Sequence, residues 1–183
     1  MSWLLLIACG PKQPPVGSVA VERDVPQVPI LMPTVAGNPI PYGAALPFEL
    51  ASTEAEKSLV AGEEIVLGMD RWPAATDPAT SKKRAMDLVG ESERALELFG
   101  TAASQHDLGD IAACRTADAL RLAATAVLET RDPVPGADAT VLLEEAAEPL
   151  ITQATAAYTS VLASPDDRWS GHARWGLGEL EEL

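Results

Sequence analysis

The sequence predicts an all-α protein of about five helices in antiparallel hairpins, preceded by a proline-rich extended tether. Three observations carry this. Nine prolines fall between residues 11 and 50, at 11, 14, 15, 26, 29, 33, 39, 41 and 47. From Ser52 onward apolar residues recur at steps of three and four, the spacing of one helix face. No run after residue 50 alternates apolar and polar with the period of two that a half-buried strand needs. The chain therefore divides into a short apolar leader at 1–8, a linker at 9–50 and a helical domain at 51–183.

A length of 183 residues with 47% hydrophobic content supports one modest domain with a real core, and 22% charged residues exclude an integral membrane protein. The net charge of −14 belongs to the helical part, because residues 1–50 hold only Glu22, Asp24 and Glu49 against Lys12 and Arg23. Such a field repels phosphate backbones, and no basic stripe exists to release counterions, so nucleic acid is excluded as a partner. Two cysteines, Cys9 and Cys114, allow at most one bridge and no disulfide framework.

At the N-terminus an apolar run from Trp3 to Ala8 stops at Cys9 and is followed by Gly10-Pro-Lys-Gln-Pro-Pro15. It is too short for a bilayer, which takes about 20 apolar residues. Leu6-Ile7-Ala8-Cys9 resembles the lipobox of bacterial lipoproteins. The resemblance implies cleavage before Cys9, a diacylglycerol thioether on its sulfur and an acylated amino group. Each buried methylene adds about 0.8 kcal/mol, so several chains anchor firmly. Residues 1–8 lack the basic n-region and full apolar length of a signal, so they are expected to be the end of a longer one that starts upstream. Gly10 is not the aspartate associated with inner-membrane retention in enteric bacteria, which favours the outer membrane, facing the periplasm or the cell surface. The alternative is a cytosolic helical domain with an apolar N-terminus.

In the linker each proline removes a donor and pushes its predecessor to extended geometry, giving a polyproline-like spacer of about 3.1 Å per residue. Residues 25–35 are apolar enough to act as a strap packed on the chain's own helices, or else as a peptide for a partner's groove.

The first helix opens at Thr53, with Glu56 completing a capping box, and aligns Ala55, Leu59, Gly62, Val66 and Met69 before ending at Trp72-Pro73. Asp77-Pro78 caps and starts the second, whose stripe is Ala85, Leu88, Val89, Ser92, Ala95, Phe99 and Ala102, with His106 just past its end. The third, from about Leu108 to Thr130, carries Ala113, Ala117, Leu120, Ala124 and Val127 and is apolar around much of its circumference, so it is expected to be the most buried. The fourth aligns Leu143, Ala147, Leu150, Ala154, Ala157 and Val161. Pro149 lies inside it, and an interior proline costs about 3 kcal/mol, so a kink near Glu145 or a restart at Pro149 is expected. Ser164-Pro165-Asp166-Asp167 reads as the cap and first turn of a fifth helix running to the C-terminus.

Residues 143–178 resemble tetratricopeptide repeats. Ala154, Tyr158 and Pro165 match the small residue, aromatic and closing proline of a repeat's second helix, and Ala173 with Leu177-Gly178 matches the next repeat's first helix. Val161 stands where that family has a small residue, Pro165 comes one residue early, and Trp175 is out of register. The resemblance implies a protein-binding scaffold with a concave groove.

Catalytic chemistry is not legible. His106 and His172 are far apart and no close His/Cys group nucleates a metal site. Cys114, flanked by alanines with only Arg115 adjacent, reads as a small core residue. Glu144, Glu145 and Glu148 suit the positive end of a helix dipole better than acid-base work. Gly176-Leu-Gly178 lacks the strand and spacing of a phosphate loop. Trp169 and Trp175 are expected to pack the last helix on its neighbour, and with Tyr158 they are the candidate partner surface. The function expected is a lipid-anchored, non-enzymatic scaffold that binds envelope proteins, with no cofactor and no metal. The rival is an envelope enzyme or small-ligand binder, for which a polar constellation must converge inside the bundle.

Overall fold

The computed structural model describes residues 39–42, 44, 46, 50–130 and 137–183, and for 137–139 the backbone alone. These residues form α1 (Glu54–Asp70), α2 (Pro78–Ala102), a 3-10 turn (His106–Leu108), α3 (Gly109–Leu128), α4 (Ala137–Leu162) and α5 (Ser170–Glu181), with no strand among them. Local chemistry sets the first two starts. The Thr53 hydroxyl accepts from the Glu56 amide at 3.1 Å while the Glu56 carboxylate accepts from the Thr53 amide at 2.8 Å, a capping box that satisfies two otherwise orphaned donors. Asp77 accepts from the Thr80 amide at 3.0 Å, and Pro78 follows where a missing N–H is harmless.

The helices α1 to α4 pack consecutively as antiparallel neighbours, and bonds between opposite ends show it. Thr53, at the start of α1, donates to Gln105, past the end of α2, at 3.1 Å. Arg84, early in α2, pairs with Glu129, just after α3, at 2.7 Å. Ser164, just after α4, donates to Asp110, early in α3, at 2.6 Å. Both α1 and α5 also touch α3, which makes α3 the centre of the bundle. Its buried residues include Ile111, Ala112, Ala117, Leu120 and Ala124, and the expected stripes of α1 and α2 are buried with it, except that Val89 is only partly covered. Small side chains dominate these faces and let the helices approach closely. At Gly62 an added Cβ would lie 2.5 Å from the Phe99 ring, and at Gly176 only 2.1 Å from the Tyr158 ring.

Of the two alternatives at Pro149 the restart does not occur, and the start of the fifth helix differs from the expected one. α4 is continuous through Pro149 and does not restart there. Both Pro149 and Glu145 are exposed, so the carbonyl that proline deprives of a donor can bond water. α5 begins at Ser170, six residues beyond Ser164, with Trp169 at its cap position and no side-chain cap. The Ser164 hydroxyl is taken by Asp110, and Asp166 accepts from the Arg168 amide at 3.0 Å and the Arg168 Nε at 2.6 Å, so the capping signal is consumed by a turn and a tertiary contact. No helix among the described residues is long and apolar enough to cross a membrane.

Candidate functional site

α3 carries charges where its circumference offers no solvated face. Arg115, Asp118 and Arg121 are spaced by three and so project on one side, toward α1, α4, α5 and the segment 39–42. An isolated charge there would be prohibitively expensive, and each is partnered. Arg115 is fully buried. Its Nε donates to Glu63 Oε1 at 2.7 Å, Nη1 to Asp118 Oδ2 at 3.0 Å and Nη2 to the Pro41 carbonyl at 2.9 Å. The Tyr42 and Trp169 rings lie 4.5 and 5.4 Å from its guanidinium carbon, close enough for cation–π attraction.

Asp118, also fully buried, receives the Tyr158 hydroxyl at 2.6 Å and sits 3.0 and 3.1 Å from His172 Nε2. Burial by itself pushes the Asp118 carboxyl up. The hydrogen bond from His172, the Arg115 charge and the Tyr158 hydroxyl outweigh it and hold the group below the ordinary carboxylate range. Burial, followed by the neighbouring Asp118 charge, pushes the Tyr158 phenol up, and burial does the same to the Cys114 thiol. Cys114 is thus a buried, protonated core residue, as expected from its flanking alanines.

The remaining nitrogen of His172 takes a main-chain donor: the Ile40 N–H points at Nδ1 from 2.9 Å. That bond fixes the tautomer, with Nδ1 accepting and Nε2–H donating to Asp118. Residues 39–42 therefore form a short strap whose N–H at Ile40 and C=O at Pro41 are both captured by buried side chains, from α5 and α3. Ile40 is itself buried, and Tyr42, Ala44 and Leu46 pack against the core beside it. A carboxylate orienting an imidazole is also how acid-base sites are built. Here the outward nitrogen holds backbone, and what the arrangement does in this state is bind the main chain of residues 39–42.

Beside the strap lies a cavity of about 500 Å³, lined among others by Tyr42, Arg71, Arg121, His172, Trp175 and Glu179. Arg121 stacks 4.9 Å from the Trp175 ring and sits 3.8 Å from Glu179, and its Nε is buried without a hydrogen-bond partner. Asp70 and Glu179 against Arg71 and Arg121 leave the lining of mixed sign.

Of the candidate partner surface, Tyr158 and Trp169 are buried, so only Trp175, half-buried at the cavity, is placed to meet another molecule. Tyr158 is committed to Asp118, and Trp169 packs edge-on to His172 at 5.9 Å. His106 is exposed on the 3-10 turn beside Asp107. Glu144, Glu145 and Glu148 are exposed along α4. Cys9 and the apolar residues 25–35 lie outside the described residues. No group of three or more His, Cys, Asp and Glu among the described residues could hold a metal ion. Sequence reasoning missed Glu63, Arg115, Asp118 and Arg121. The available signal was that α3 places Arg115, Asp118 and Arg121 in the middle of a helix apolar nearly all round, where charge must be paired or removed. Comparison with family models, with curated proteins and with solved structures finds no match to this chain.

Proposed function

We propose that the chain is a cell-envelope protein held to a membrane by lipid on Cys9, and that its helical body is a scaffold for other envelope proteins. The observation that carries this reading is the capture of the strap. Two main-chain groups at Ile40 and Pro41 are gripped by buried side chains, so the segment leading back toward Cys9 joins the body at a fixed place. A spacer ending in a fixed attachment orients the bundle relative to its anchor, which a scaffold needs and a freely tumbling binder does not. The body also keeps large apolar side chains in solvent, Met86 on α2 at 67% exposure and Leu142 on α4 at 65%, which suits contact with a protein surface. The test is site-specific photo-cross-linking in intact cells from Met86, Leu142 and Trp175. Adducts of one defined mass, reproduced from a given position, support the scaffold; recovery of the protein alone from every position contradicts it.

A second reading is favoured by a specific observation. A polar constellation does converge inside the bundle and borders a cavity of about 500 Å³, the size of a small-molecule site. In that reading Arg121 and Trp175 hold a small ligand, and cross-linking returns the protein alone.

A further inference from the structure

We propose that the bond between the Ile40 amide and His172 is an acid-released latch, which holds the strap over the bundle at neutral pH and lets it go when His172 takes up a second proton. This rests on the strap's geometry alone and is independent of the lipid anchor. The Ile40 N–H is a donor 2.9 Å from Nδ1, and Nε2 is already committed to Asp118 at 3.0 Å. A doubly protonated imidazole presents donors at both nitrogens. With Asp118 fixed by Arg115 and Tyr158, the ring keeps its Nε2–H bond, and the new Nδ1–H then meets the Ile40 N–H head-on. Either the strap leaves or two buried donors face each other unpaired, which is a full desolvation penalty. Departure also removes Tyr42 from the Arg115 guanidinium and Ile40 from its buried site, and opens the cavity that His172 lines.

The groups around His172 sort themselves by element. From α3, Asp118 is held below the carboxylate range and so stays charged, while Arg115 and Arg121 are held up and stay cationic. From α4 and the strap, burial pushes the phenols of Tyr158 and Tyr42 up, so both stay neutral. From α1, Glu63 pairs with Arg115, and Asp70 lines the cavity together with Arg71 just past the helix end; on α5 itself Glu179 lines the same cavity. His172 is thus the group at the strap where a second proton and the Ile40 N–H compete for one nitrogen. The sign follows from proton counting. The docked state has no place for a proton on Nδ1 and the released state has one, so docking is strongest at neutral pH and above. It weakens on acidification, by at most tenfold in the docking constant per pH unit for one linked proton.

The test is a pH titration of the full chain, isotope-labelled, from pH 8 to pH 5, following the amides of Ile40 and Tyr42 by NMR against those of Leu59 and Ala117 in the helical core. The strap amides are expected to leave their docked positions on acidification while the core amides hold. His172→Asn keeps an acceptor near Nδ1 that cannot be protonated, and its Ile40 and Tyr42 amides are expected to hold throughout. Ile40→Pro removes the donor while leaving the Pro41 carbonyl on Arg115, and its Tyr42 amide is expected to lose its pH dependence too. A wild-type strap that stays docked down to pH 5 would overturn the latch. So would a titration that survives in either variant, and the second variant serves if the first does not fold.

Discussion

Asp118 is the residue on which the interior turns. It gathers donors from three helices, Arg115 of α3, Tyr158 of α4 and His172 of α5, and has no exposure to water. Asp118→Asn removes the charge that balances Arg115 and turns one acceptor into a donor facing donors. It is expected to cost about 3–5 kcal/mol in urea unfolding, the scale for breaking a buried charge pair from one side. Its acid behaviour follows from the direction of its shift. The carboxyl sits below its unfolded value of about 3.9, so its contribution is whole above that pH and is lost as pH falls through the lower folded value. The wild type should therefore lose stability in that acid range, measured by urea midpoints, and the Asn variant should lack that part of the slope. None of this was legible in the sequence as a site. Apart from the Arg115–Asp118 pair on α3 itself, the partners of Arg115, Asp118 and His172 lie 40 to 132 residues away along the chain, beyond any periodicity or motif. Only the crowding of charge on an apolar helix hinted at it.

At the scale of elements the sequence was most legible where signals are local. The capping box at Thr53 and the Asp77-Pro78 start need only residues three apart, and both helices begin there. The α5 start was misread for the complementary reason: Ser164 and Asp166 carry capping chemistry, but Asp110 on a distant helix and Arg168 in the turn use it first. Packing between α4 and α5 gives a sharp test, because two glycines of one helix have opposite surroundings. A Cβ at Gly176 would fall 2.1 Å from Tyr158 Cζ and 2.5 Å from its hydroxyl, in a ring that cannot retreat without leaving Asp118. A Cβ at Gly178 meets nothing within 4 Å. Gly176→Ala is expected to destabilise by about 1–3 kcal/mol, and Gly178→Ala to stabilise by up to about 1 kcal/mol through helix propensity. Equal effects in thermal unfolding would mean that α5 does not pack on Tyr158 in this way. The close approach of α5 to Tyr158 is made at Gly176.

For the whole molecule, fold class, helix order and the burial of α3 followed from composition and spacing alone, because steps of three and four along five segments leave little choice of architecture. The proline-rich character of residues 11–50 was equally plain, and the structure adds that its last part, at 39–42, is bound by side chains of α3 and α5. What ties these parts into one proposal is the anchor, since a captured strap orients the body only if its far end is held. The most direct measurement is incorporation of a tritiated fatty acid in cells expressing the full chain behind its most upstream start, beside Cys9→Ser. Label is expected on the wild type and not on the Ser variant, with release of the variant from the membrane fraction. Absence of label from both, or equal label on both, would contradict the anchor.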